Sequence, residues 1–381
     1  MKNIYRTILV VSLIVVGVVV PQNVNSGNKD RSGQAAASYL LINPWAGISG
    51  WGGAGISSTK GIQSTFSNVA GLAFTRKTEL AYSNSLLYTG SGIMVNGLGI
   101  AQNLRRNEGK EPGVLAVTAM IMSFGDNEIT TVEQPEGGLG YFRHSCFTLA
   151  LSYARSFSDA VHAGVTFKVL NESVANASAT GFTIDAGVQY VAGYNNQFQI
   201  GVTMKNIGLP MAYKGSGMSW RGVLDKDRHN ILHSLMVASE SAEMPALLSL
   251  GVSYDFLFQS KMTKDDPENY GPRGQREIDR NKAHRLTLSG AFTANAYTKD
   301  QFLLGIEYSM MNYFQLRAGY TFETGMFSGN TTTIYVGPTA GTSVLIPLSK
   351  KNFERRLAID YAYRFTNETK GCHVIGARLI L

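Results

Sequence analysis

Four groups of residues could carry chemistry, and each has an ordinary structural explanation beside it. Gly50-Trp51-Gly52-Gly53-Ala54-Gly55 spells G-x-G-x-x-G, whose glycines let a backbone approach a pyrophosphate at a helix N-terminus. That use needs a strand before, a helix after and an acid about 20 residues on. No helical pattern follows, and the region from Val69 to Thr75 holds no acid, so the glycines read as a tight fold instead. His229 and His233 are four apart, as two zinc ligands on one helical face would be, but they have no third ligand nearby. They read as a solvated loop pair. His144 and Ser145 are the nearest sequence neighbours for a nucleophile and its base, yet adjacent strand residues point to opposite faces. There is no G-x-S-x-G, so the chain is expected to be a non-enzyme, with neither cofactor nor metal. Cys146 and Cys372 are far apart in strand-like surroundings and read as small apolar strand residues.

The fourth group is ten ionisable residues inside otherwise alternating segments: Lys168, Asp185, Lys205, Asp255, Glu307, Arg317, Glu323, Asp360, Arg364 and Arg378. After Lys77 apolar residues recur with a period of two, as in Phe182, Ile184, Ala186, Val188 and Tyr190. Phe314, Leu316, Ala318, Tyr320 and Phe322 repeat the pattern, as do Leu357, Ile359, Tyr361, Tyr363 and Phe365. Dyads of about ten residues are the signature of transmembrane strands. If the apolar set faces lipid, the ten charges point into a lumen where acids and bases balance and can pair. Such an interior suits a plugged scaffold better than a tunnel for an oily substrate, which would want apolar walls.

About fourteen strands are expected, near 79–88, 93–103, 113–124, 146–156, 160–171, 180–191, 197–206, 246–257, 284–295, 301–310, 314–323, 333–346, 355–365 and 372–381. This is an all-β, antiparallel outer-membrane barrel occupying 78–381, in preference to a soluble sandwich of two sheets. With both termini in the periplasm, the long 125–145 and 207–245 connections face outside. The charged stretch from Gln259 to Ala283 would be an inner loop. Ahead of the barrel, residues 27–77 read as a periplasmic or hatch segment. Its Gly47, Gly50, Gly52, Gly53 and Gly55 suit a chain folding tightly into the barrel mouth.

Lys2 and Arg6, the apolar run Ile8 to Val20, and a small-residue exit make 1–26 a secretory signal peptide, favoured over a membrane anchor. The expected location is the outer membrane. A net charge of +7 and a mean hydropathy of −0.03 fit a barrel whose polar lumen offsets an apolar exterior, and show no nucleic-acid footprint.

Several motifs stand in order along the chain: Leu40-Leu41-Ile42-Asn43-Pro44 through Gly52-Gly53-Ala54-Gly55, Gly181 to Gly187, Lys205-Asn206-Ile207-Gly208 and Leu316-Arg317-Ala318-Gly319-Tyr320. Together they resemble the PorV/PorQ family of the type IX secretion system, distant relatives of FadL-type barrels. Asn68-Val69-Ala70-Gly71-Leu72-Ala73 is similar to the family's hatch motif, with Val69 where Pro is usual. The N-terminal part is more similar to PorV than to PorQ. The resemblance implies a fourteen-stranded barrel with a hatch. It would bind secreted cargo, translocon or sortase-like attachment subunits as a shuttle or adaptor, among outer-membrane lipid.

Function would then sit on loops, where Tyr213, Met218 and Trp220 beside Lys214, Arg221 and Arg228 suit a protein contact. The same loop could instead simply cover the barrel mouth. The rival function is a FadL-like channel for hydrophobic small molecules, with the hatch as gate. A continuous apolar path would favour that rival, and a charged, filled lumen the adaptor. An esterase is a third reading, which a Ser–His contact in the wall would revive.

Overall fold

Alternation does place one side of every segment outside. Leu80, Leu98, Phe167, Phe182, Ile306 and Ile375 project from the outer face, while Lys168, Asp185, Glu307 and Asp360 are buried within. The computed structural model describes residues 31–381 apart from 105–111, 194, 224–231, 259–283, 312, 329–330, 349–354 and 367–369. The expected signal peptide, the 259–283 loop, Arg228 and His229 therefore lie outside the described residues.

The strands are β1 (Thr78–Leu87), β2 (Ile93–Asn103), β3 (Val114–Glu128), β4 (Tyr141–Ser156), β5 (Val161–Val174), β6 (Ala177–Ala192), β7 (Phe198–Gly208), β8 (Ser219–Val223), β9 (Leu232–Met236), β10 (Leu247–Phe258), β11 (His284–Asn295), β12 (Gln301–Met310), β13 (Phe314–Glu323), β14 (Gly337–Pro347), β15 (Arg356–Arg364) and β16 (Cys372–Ile380). All but β8 and β9 form one closed antiparallel barrel of 14 strands, with β7 pairing directly with β10 and β1 with β16. Closure leaves no free edge, so every ladder group finds a partner away from water. The β8–β9 hairpin sits in the long connection between β7 and β10, which the alternation had left without strands.

Two more differences from expectation have local causes. β3 continues to Glu128 and β4 begins at Tyr141, shortening the 125–145 connection. A register shift between Ser123 and Asp126, with Gly125 at φ 77°, interrupts the period without ending the pairing. A second shift lies in β7, where Lys205 and Asn206 together face Asp185, and Asn206 takes φ 59°. This bulge turns two successive side chains inward, which strict alternation forbids.

Thr78 and Leu381 lie together at one end, joined by a backbone hydrogen bond of 2.9 Å. We call this the closing end. The opposite, loop end carries the connection between β7 and β10. The hatch does not stay at the closing end. Ala36 N–H donates to the Glu243 carbonyl at the loop end, whereas Asn103 Nδ2 donates to the Thr75 carbonyl at the closing end. Residues 31–77 thus thread the whole lumen before the first strand begins.

Candidate functional site

The hatch is almost all irregular chain: one helical turn, α1 (Ala46–Ser49), and 3-10 turns at Ser38–Leu41, Gly61–Phe66 and Val69–Phe74. It presses on the wall wherever the wall lacks side chains. A Cβ on Gly187 of β6 would stand 2.1 Å from Asn68 Oδ1, and one on Gly319 of β13 would stand 2.4 Å from the Trp51 carbonyl carbon. Gly201 and Gly251 meet Ile56 and Ser57 in the same way, Gly305 meets Ala54, and Gly341 meets Gly50. These inward strand glycines let backbone lie on backbone. Their signal was in the sequence, as glycines at inward positions of alternating segments.

Asn68 is the hatch's central fastener. Its Oδ1 accepts from Ala70 N–H at 3.2 Å, capping the 3-10 turn, and its Nδ2 donates to the carbonyls of Ile56, Val188 and Val202. Asn68 caps this turn with Val69 in the place usual for Pro. Of the other hatch residues singled out, Ala70 and Gly71 are buried in that turn. Gly52 and Gly53 take φ 60° and 82°, and Gly55 packs against Thr59 and Trp51.

The ten charges fall into distinct groups. Across six strands runs one continuous polar ladder. Arg285 of β11 donates to Glu307 of β12 at 2.5 Å, and Arg317 of β13 donates to Glu307 at 2.6 Å and to Ser343 of β14 at 2.6 Å. Ser343 donates to Asp360 of β15, which Arg378 of β16 grips with bonds of 2.6 and 2.9 Å. Gln63 of the hatch donates to Asp360 at 3.2 Å, tying plug to ladder. On the other wall Lys168 meets Asp185 at 2.5 Å and Asn206 Oδ1 at 2.9 Å, and Lys205 donates to the Phe66 carbonyl at 2.8 Å. Asp255 accepts from Thr287 and Gln199. Glu323 accepts from Thr332 and Thr333, and Arg364 donates to Asn43 O and Ser49 Oγ. Arg285 and the buried Glu79, which accepts from Ile62 N–H at 2.8 Å, belong with them and were missed. Both lie near strand ends, where the alternation is hard to read.

The lumen is not charged throughout. Toward the loop end its wall over β1–β6 is mostly apolar: Leu87, Val95, Met120, Met122, Cys146 and Leu170 are buried there, with Met211 and Met244 from the long connection, and Ser85, Thr148 and Glu172 are its buried polar members. The occupant of that vestibule is the chain itself. Tyr39, Leu40, Ile42 and Trp45 are 7, 2, 8 and 1 % exposed within the same cluster. Polar contacts anchor this segment along its length: the Tyr39 hydroxyl with Thr148 Oγ1 at 3.3 Å and the Phe147 carbonyl at 3.4 Å, Arg364 to the Asn43 carbonyl at 3.3 Å, Ser83 Oγ to the Pro44 carbonyl at 2.6 Å, and Trp45 Nε1 with Thr65 Oγ1 at 3.2 Å. Above it, Arg31 donates to Glu243 at 3.0 Å and to the Tyr297 hydroxyl at 2.9 Å, and Tyr297 donates to Glu243. A half-open pocket of about 30 Å³ is lined by Gly33, Ser38, Pro245 and Tyr297 among others.

The described loop residues, Tyr213, Lys214, Met218 and the Trp220 and Arg221 backbones, are placed in more than one element. Tyr213 turns down to donate to Glu172, while Lys214 is exposed and bridges Ser178 through its backbone. Met218 follows in a 3-10 turn, and Trp220 and Arg221 pair with Leu235 and Ser234 in the hairpin. Among the described residues no group of three or more His, Cys, Asp or Glu is placed to hold a metal, and both cysteines are buried free thiols. One Ser–His hydrogen bond does occur, Ser156 Oγ to His162 Nδ1 at 2.8 Å. The His162 ring is buried against Phe74, 4.2 Å between centroids, where the hatch leaves the barrel.

No protein-family model and no curated protein matches this chain. Solved structures of similar shape do exist. The CymD monoaromatic hydrocarbon channel aligns with a TM-score of 0.47 and 13% identity over 89% of this chain and 97% of that one. The Pseudomonas putida toluene transporter TodX gives 0.47 and 11% over 85% and 94%. A Pseudomonas aeruginosa FadL homologue gives 0.43 and 12% over 93% and 96%.

Proposed function

We propose that this chain is a gated outer-membrane barrel that takes an apolar small molecule at its loop end. The reading rests on one observation. Among the described residues, a mostly apolar stretch of lumen lies toward one mouth, and the chain's own Tyr39, Leu40, Ile42 and Trp45 fill it. A wall of methionine and leucine around a removable apolar segment is the chemistry of a pocket for apolar ligands. Residues 31–42 meet the wall and loops through the Arg31 clasp, Ala36 N–H and the Tyr39 hydroxyl, whereas residues 43–74 are sewn to the wall by Ser83, Arg364, Asn68 and the ladder. Movement is therefore cheapest at residues 31–42, which act as the gate, and the remaining hatch acts as the fixed plug. Displacement of an environment-sensitive naphthylamine dye by fatty acids, alkanes or monoaromatics from the purified full chain tests this. Saturable displacement that weakens in Met120→Asp supports the reading, and dye that never binds the folded protein contradicts it.

A second reading is the type IX adaptor, favoured by the charge-paired, filled half of the lumen. There the barrel is a rigid post, and binding of secreted cargo or attachment subunits falls to the long connection with its β8–β9 hairpin. A mild-detergent pull-down from native membranes separates the two. Stoichiometric translocon or sortase-like subunits favour the adaptor, and a protein recovered alone with bound lipid favours the channel.

A further inference from the structure

The outer wall carries a polar island where lipid should meet only apolar groups. Asn84 of β1 and Asn96 of β2 stand directly opposite each other and face outward. Their neighbours on the same face are Tyr82, Leu86, Met94 and Leu98. Across the adjoining ladders stand Ile375 of β16 and Ile121 of β3. All six of these neighbours are exposed to the surroundings. Asn96 Oδ1 accepts from Asn84 Nδ2 at 2.8 Å and from the Tyr82 hydroxyl at 3.1 Å. Two amides hold four N–H groups and two carbonyl oxygens, of which these contacts use one of each. The remaining donors and the Asn84 oxygen lie on the outer face among exposed apolar side chains, and on a lipid-facing wall unsatisfied polar groups are costly and mark function.

We propose that this island is a contact between two copies of the chain, related by a two-fold axis along the membrane normal. The leftover groups are self-complementary. The Asn84 oxygen of one copy can accept from the Asn96 amide of the other, and the reverse, which is the pattern an isologous interface requires. An axis along the normal also sets both pairs at the same depth, a match that a foreign partner would need to reproduce. Amides hydrogen-bonding across a membrane interface, ringed by apolar side chains in van der Waals contact, are an established mode of association in lipid.

The test uses the full chain in phospholipid vesicles, with donor- and acceptor-labelled copies mixed at high dilution in lipid. Energy transfer is expected for the natural sequence and for Val252→Asn, which alters an outward residue on the opposite wall. It is expected to fall at least tenfold in Asn84→Leu/Asn96→Leu. That variant should still fold, judged by heat-dependent gel mobility, because both side chains lie outside the barrel core. Absence of transfer for the natural sequence overturns the proposal. So does transfer that survives the double leucine change. A benzophenone side chain placed at 96 in cells should give a product of twice the chain mass, and a product with a different protein instead also overturns it.

Discussion

Replacing Asn68 by Ala should loosen the plug without unfolding the wall. The side chain caps the Val69–Phe74 turn through Ala70 N–H, and its two amide hydrogens are shared among three carbonyls. Losing the cap costs about 1 kcal/mol. The Ile56 carbonyl keeps Gln189 at 3.3 Å, and Val188 and Val202 belong to the β6 and β7 ladders, so none of the three is left bare. Their loss therefore counts at the net value of a hydrogen bond, about 1 kcal/mol each at most and less for the 3.4 Å contact to Val202. The sum is about 2–3 kcal/mol, which makes local opening about 30- to 150-fold more frequent. Hydrogen exchange read by mass spectrometry should show residues 56–74 exchanging faster by that factor, with β10–β13 unchanged. Unchanged exchange in 56–74 would refute the role given to Asn68. Faster exchange throughout the barrel would show that hatch and wall are one cooperative unit.

Lys168→Met leaves Asp185 buried without its cation and should destabilise the barrel by about 3–5 kcal/mol, seen as a lower temperature of heat-modified gel mobility. The double change Lys168→Met/Asp185→Leu should recover most of that loss, because both desolvation costs disappear together. Gly319→Val drives a side chain into the Trp51 backbone and should displace residues 51–54, giving measurable conductance in planar bilayers where the natural sequence gives none. The clasp at Arg31 has a defined pH response. The Tyr297 hydroxyl and then Arg31 hold the Glu243 carboxyl below its usual range. The contact is therefore complete above the free carboxylate pKa and is lost as pH falls through the depressed one. Exchange at residues 31–36 should rise in acid, and Glu243→Gln should abolish that dependence.

Strands were the most legible feature because a lipid-facing wall repeats one rule over ten or more residues. β12 (301–310) and β13 (314–323) could be bounded from alternation alone. The rule fails where the structure departs from period two. The bulge at Lys205 and Asn206 turned in a residue that parity sends outward, and Gly125 hid the last turns of β3. Charges in mid-strand could be assigned to the lumen. Their partners could not, because the ladder from Arg285 to Arg378 depends on register between strands that the sequence does not state. The hatch was readable as glycine-rich and confined. Its path was not, since its direction is set by contacts with fourteen strands at once, and residues 31–42 lie at the mouth away from the closing end. The apolar vestibule was hidden for the same reason. Leu87, Met120 and Leu170 are separate inward positions until closure brings them around Tyr39 and Trp45.

Accessibility of a thiol at position 40 tests the gate most directly. Leu40 is 2 % exposed in the vestibule, so Leu40→Cys should react slowly with a bulky maleimide in the folded, ligand-free protein. Labelling should accelerate at least tenfold when a saturating apolar compound displaces residues 36–42, and slow again when the compound is removed. Labelling that stays slow across fatty acids, alkanes and monoaromatics, in protein that remains folded, would contradict it and leave the vestibule as a permanent part of the core.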